Sequence, residues 1–234
     1  LFYGEILKYK TGEPDYDLRD RFIVSKGHSA MGVYPILSDI GYFDKSELKK
    51  YGTPDGILRI YGDKSIPGVD STSGSLAQAP GIACGFALAS KNDGTNIYSY
   101  VILSDGEHYE GSLWESAMFA SHNSLDNLIF IVDRNRQIIL GNSEDCLKIE
   151  PLKEKWESFG WNVFNVNGHS YREIIEAFKK AKKPNGKPNV IIADTVKGKG
   201  VSYMENVTRW HNTMPNDKEI EIARKDLEVN CINE

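Results

Sequence analysis

The sequence predicts an α/β fold with a mostly parallel central sheet and helices on both faces. Three observations carry this. Apolar, strand-like runs at Tyr98–Leu103, Leu128–Val132, Trp161–Val166 and Asn189–Asp194 alternate with helical stretches, the pattern of strands joined by helical crossovers. Leu76–Ser90 is a helix rich in Ala and Gly, able to lie close against a sheet. Asp105 and Asn135, 30 positions apart, each follow a strand. A strand, a helix and a second strand bring both to the edge where α/β sheets bind ligands.

The elements follow in order. Leu1–Leu7 opens inside an apolar pattern and reads as the end of a helix whose first part is missing, so the chain is expected to be a fragment or truncated. Arg19–Ser25 is extended. His28–Ile40 has helical spacing through Met31, Tyr34, Leu37 and Ile40, and Gly41 stops it. Asp44–Tyr51 is a short helix in which Asp44 and Glu47 form a capping-box pattern. Tyr61–Ser75 is loop, and Leu76–Ser90 tolerates Pro80 in its first turns. Gly111–Asn123 is the helix between the two central strands, and Asp133–Glu150 reads as a long loop. Helices at Pro151–Phe159 and Tyr171–Lys182 flank the Trp161–Val166 strand; Val196–Asn216 is loop, and Asp217–Asp226 a surface helix. No repeat or linker divides the chain, so residues 1–234 are expected to form one domain.

The 234 residues, 40% of them hydrophobic, suffice for a sizeable core. A net charge of −5 argues against a nucleic-acid binder, which needs a basic face. Cys84, Cys146 and Cys231 have no metal or CxxC spacing and read as free thiols of a reducing compartment. No apolar run has the length of a membrane span and no signal peptide is visible, so the expected location is cytoplasmic.

The chemistry gathers at Ser104-Asp105-Gly106 and Asn135. A carboxylate and a carboxamide converging at a sheet edge suit a hard cation such as Mg²⁺ holding a diphosphate. Gln137 offers a backbone carbonyl to the same ion. Glu110 and Gly111 open a helix whose N-terminus favours anions. His108, flanked by Glu107 and Tyr109, points away from the ion and is expected at an interface or in solvent.

The stretch from Ser104 to Gly141 resembles the thiamine diphosphate motif, which runs from Gly-Asp-Gly to an Asn about 30 residues on. More narrowly, the chain resembles the N-terminal subunit of a split transketolase. The resemblance rests on Asp20–His28, Pro67–Asp70, Gly74–Leu76, Leu125–Leu128, Phe159–Trp161, Lys197–Gly200 and Trp210-His211. It implies that Asp105 and Asn135 ligate Mg²⁺ by side chain and Gln137 by its carbonyl, and that Gly106 lets the backbone approach the diphosphate. It further implies that His28 and His211 line the diphosphate and the reacting end, that Gly74 and Leu76 bound the pocket, and that Glu110 reaches a subunit interface.

The same resemblance implies a partner. The glutamate that activates thiamine diphosphate lies in a second, pyrimidine-binding domain, so a separate C-terminal subunit is expected, in a heterotetramer acting on sugars or sugar phosphates. Departures from the family pattern are Ser104 for glycine, Leu76-Ala77-Gln78-Ala79 for LGQG, Arg136 for glycine, and Asp63 for a substrate-side histidine. The Ser104 hydroxyl is expected to bond a phosphate, and Arg136 to be strained if its φ is positive. Three further readings stay open on the sequence: an impaired or truncated subunit, a thiamine diphosphate enzyme acting on a 2-oxo acid or specialised sugar, and an unrelated Mg²⁺/phosphate protein.

Overall fold

A computed structural model describes the backbone of residues 1–232 and the side chains of residues 1–228. Cys231 lies outside the described side chains; Cys84 and Cys146 are free thiols. The central sheet has five strands, β1 (Arg21–Val24), β2 (Ser99–Ser104), β3 (Leu128–Arg134), and, after the two-stranded hairpin of β4 (Gln137–Ile138) and β5 (Gly141–Asn142), β6 (Asn162–Asn167) and β7 (Asn189–Asp194). Their order is β1-β2-β3-β7-β6, and every neighbouring pair is parallel. Successive residues of a strand face opposite sides, and both sides are buried here. Ile23, Val101, Leu103, Phe130, Val132, Val190 and Ile192 belong to one core, while Phe22, Tyr100, Ile129 and Ile191 belong to the other.

The helices divide accordingly. Among α1 (Tyr34–Asp39), α2 (Ala79–Asn92), α3 (Gly111–His122), α4 (Ser143–Cys146), α5 (Leu152–Ser158), α6 (Tyr171–Ala181) and α7 (Asp217–Ile232), the first core takes α2, α3 and α5 through Ala83, Ala87, Leu113, Ala117 and Trp156. The second takes α1 and α6 through Leu37, Ala177 and Phe178. The two-sided α/β expectation therefore holds.

Several local expectations are corrected. Leu1–Leu7 is a run of turns, not a helix end, with Phe2, Ile6 and Leu7 buried in the second core. The helix expected over His28–Ile40 is a 3₁₀ turn at Gly27–Gly32 followed by α1, because Pro35 at the start of α1 cannot donate a hydrogen bond to the preceding turn. Asp44 does cap its 3₁₀ helix, accepting from Ser46 N–H at 2.7 Å, but Glu47 bonds Ile57 N–H and Lys50 instead of closing a capping box. Helix α2 begins at Ala79 rather than Leu76, since Ala77 has φ +58°. The loop expected after Asp133 contains the end of β3, the hairpin and α4.

Because the five strands are parallel, their C-terminal ends form one rim. Lys26 and His28 follow β1, Asp105 follows β2, Asn135 follows β3, and Thr195 and Lys197 follow β7. Register pairs Ser104 with Asp133 and Arg134 with Asp194, so these exits lie side by side.

Candidate active site

Asp105 is fully buried, and neither of its carboxylate oxygens has a hydrogen-bond partner among the described residues. Arg134 Nη1 stands 3.1 Å from Oδ1, an ionic contact rather than a directed hydrogen bond. Burial pushes the Asp105 carboxyl up to about 6, and Arg134 opposes it. The guanidinium, 1% exposed, also reaches Ser143 Oγ at 3.1 Å, Glu144 at 2.9 Å and Glu150 at 2.7 Å. Sequence reasoning missed this residue, since its partners sit on three separate segments.

Asn135 and Gln137 stand at the next strand end, both half-buried. Asn135 Oδ1 accepts from Gln137 N–H at 2.9 Å, which curls the loop into the hairpin. Arg136 between them has φ +59°, so the expected strain is present, and its guanidinium pairs with Asp194 at 2.6 Å on the surface. Gly106 faces the hairpin: a Cβ on it would meet Ile138 at 3.4 Å.

The Asp105 turn is held from behind. Buried Glu107 accepts from Ser104 N–H at 2.7 Å and Ala77 N–H at 3.0 Å, and takes the Ser25 hydroxyl. One carboxylate thus joins the ends of β1 and β2 to the loop before α2. The Ser104 hydroxyl also donates to Glu107, at 3.2 Å. His108 is corrected too: it is 5% exposed, not at an interface or in solvent. Its Nε2 accepts from Trp156 Nε1–H at 3.2 Å, so the proton sits on Nδ1, which donates to Ser104 C=O at 3.0 Å.

The same rim carries a cluster of histidines and lysines. The rings of His28 and His211 lie 4.9 Å apart. Desolvation, then His211, Lys26 and Lys197, push His28 down to about 4; desolvation and the same lysines lower His211. His211 Nδ1 is buried without a partner. Lys26 pairs with Asp133, which also takes the Thr195 hydroxyl. The Lys197 ammonium makes no hydrogen bond or salt bridge among the described residues, and desolvation beside Lys26 lowers its pKa. Such a group lacks its anion. Lys26 and Lys197 entered the sequence reading only within the Asp20–His28 and Lys197–Gly200 stretches, the second read either as a loop over the site or as a solvated basic turn.

Gly74 (φ +144°) and half-buried Leu76 are brought beside His28 by a close backbone approach. A Cβ on Gly27 would lie 2.8 Å from Gly74 N, so only glycine fits. Glu110 is exposed at the N-cap of α3, apart from the buried cluster.

These residues fit a hard cation that arrives with an anion. No three His, Cys, Asp or Glu side chains group around a metal position among the described residues. The chain's donors are a buried carboxylate short of directed hydrogen bonds, an amide and a carbonyl, so further oxygens would come from the anion, whose charge Lys26 and Lys197 would meet.

Residues 1–233 match the family described as "Transketolase, thiamine diphosphate binding domain". The chain belongs to this family. This transketolase-type chain is 35% identical over 225 residues to an apulose-4-phosphate transketolase subunit of Phocaeicola vulgatus, covering 96% of this chain and 80% of that one. It is 37% identical over 227 residues to the 6-deoxy-6-sulfo-D-fructose transketolase subunit SqwG of a Clostridium species, covering 97% and 82%. Among solved structures, the transketolase of Campylobacter jejuni superposes with a TM-score of 0.90 at 31% identity, over 97% of this chain and 37% of that one. The reading as an unrelated Mg²⁺/phosphate protein is thereby set aside. The transketolase branch is favoured over an impaired subunit and over an enzyme of 2-oxo acids.

Proposed function

We propose that this chain is the N-terminal, diphosphate-holding subunit of a two-subunit transketolase that moves a two-carbon ketol unit from a ketose to an aldose. The observation that carries the reading is fully buried Asp105, ion-paired to Arg134 but short of directed hydrogen bonds, at the same rim as half-buried Lys197, which has no hydrogen bond or salt bridge among the described residues. Thiamine diphosphate, when bound, supplies the electron sink for breaking and making the C–C bond. Asp105, Asn135 and the Gln137 carbonyl would hold Mg²⁺ together with its diphosphate, while Lys26 and Lys197 would balance the negative charge. His211 and His28, both lowered in pKa, are neutral at pH 7, so each ring offers one N–H donor and one acceptor at the reacting end.

The proposal extends to the partner. The two relatives named above are themselves called subunits. A C-terminal subunit with a pyrimidine-binding domain would supply the activating glutamate, and exposed Glu110 would meet a subunit interface in a heterotetramer. Residues 1–234 then act as one diphosphate- and Mg²⁺-binding domain. Free Cys84 and Cys146 support a cytoplasmic location; separately, no described helix is long and apolar enough to cross a membrane.

Calorimetry on the chain co-purified with its partner subunit tests this. Thiamine diphosphate should bind only with Mg²⁺, and Asp105→Ala should abolish binding. Absence of Mg²⁺-dependent binding in the unaltered pair would overturn the reading.

A further inference from the structure

Gln137 has two ends with two partners. Its backbone lies in the hairpin that follows Asn135, paired across to Asn142. Its side-chain Oε1 accepts from the Thr208 hydroxyl at 2.6 Å. Thr208 opens the 3₁₀ turn Thr208–His211, which carries His211. Trp210 Nε1–H bonds Tyr203 C=O and Arg209 pairs with Glu219, so both stay within the C-terminal part of the chain. Among the described residues, the Gln137–Thr208 bond is the hydrogen bond that ties this turn to the hairpin. Among the described residues the His211 ring has no hydrogen-bond partner: its Nδ1 is buried and unpartnered, and its ring neighbour is His28.

We propose that Gln137 and Thr208 are positioning residues that couple occupation of the metal loop to the placement of His211. The inference rests on the proposed function, in which the Gln137 carbonyl faces the cation. Fixing that carbonyl fixes the Gln137 backbone, which restricts its side chain. The restricted amide then holds Thr208, and the short turn carries the restraint to His211. A turn joined to the hairpin by one hydrogen bond can part from it locally at little cost, so the bond decides whether filling the metal loop also orders the histidine.

Hydrogen–deuterium exchange on the co-purified subunit pair, with and without Mg²⁺ and thiamine diphosphate, tests the link. In the unaltered protein the ligands should slow exchange in both 135–142 and 200–213. Thr208→Val and Gln137→Leu should keep the slowing in 135–142 and reduce that in 200–213 by about fivefold, the population shift one neutral hydrogen bond supports. Thr208→Ser, which restores the hydroxyl, should restore it. Equal slowing of 200–213 in Thr208→Val and the unaltered protein overturns the link while leaving the binding reading intact. No slowing in either segment of the unaltered protein overturns both.

Discussion

Arg134 Nη1 lies 3.1 Å from Asp105 Oδ1, and both side chains are sealed from solvent. The only full positive charge in contact with the candidate metal carboxylate, among the described residues, thus comes from the residue before the candidate ligand Asn135. Removing one partner of a buried ion pair strands the other charge. Arg134→Met should therefore destabilise the chain by roughly 3–5 kcal/mol, read from urea unfolding. It should also weaken Mn²⁺ binding in the presence of pyrophosphate on the order of 10- to 100-fold, the usual cost of losing a ligand's supporting contact. Unchanged Mn²⁺ affinity would show that Asp105 does not depend on this guanidinium.

His108 should contribute an acid-labile share of stability. Burial holds its folded-state pKa down at about 4, below the unfolded value of 6.5. The folded chain therefore favours the neutral ring, whose contribution is complete above pH 6.5 and is lost as pH falls toward 4. The full window corresponds to about 3 kcal/mol. Unfolding free energies measured from pH 7 to pH 4 should fall less steeply in His108→Gln than in the unaltered chain.

Gly27→Ala should separate two walls of the pocket. The added methyl would sit 2.8 Å from Gly74 N and Ser73 Oγ. The segment carrying His28 must then move from the Gly74–Leu76 loop. Overpacking of this kind costs about 1–3 kcal/mol. The displacement should lower kcat/KM of the assembled enzyme on the order of 100-fold. Steady-state kinetics and thermal unfolding on the same sample separate the two effects.

Ser124→Gly serves as a test of backbone physics away from the site. Ser124 has φ +51° just past the end of α3, and Leu125 N–H bonds Ala120 C=O while Ser124 N–H bonds Ser121 C=O. This is the Schellman arrangement, in which the left-handed position favours glycine. The substitution should raise stability by about 1 kcal/mol, visible as a higher Tm with activity unchanged.

The strands were legible because each is a short apolar run bounded by polar residues; Asn189–Asp194 matches its expected limits. The hairpin after Asn135 was not. Its strands have two residues each and no periodicity, and the bend depends on a positive φ at Arg136 that arginine does not advertise. Asp105 and Asn135 could be placed at one edge because strand register alone puts them there. His108 was misread because its burial depends on Trp156, 48 residues away. Arg134, Lys197 and the Gln137–Thr208 bond were hidden for the same reason: each takes its meaning from segments that sequence spacing does not join.

The hydrogen bonds of His108 have a kinetic consequence. Ser104 C=O, at the base of the Asp105 turn, is fastened through the imidazole to Trp156, which packs against Trp114, Phe130 and Trp161. The Asp105 turn is therefore stiff before anything enters it. Under the proposed function, the Asp105 turn itself needs no rearrangement for loading, and the cost left to the ion there would be the shedding of hydration water, which Mg²⁺ does reluctantly. A cation that releases its water more readily would fill the same site faster with no change in the protein.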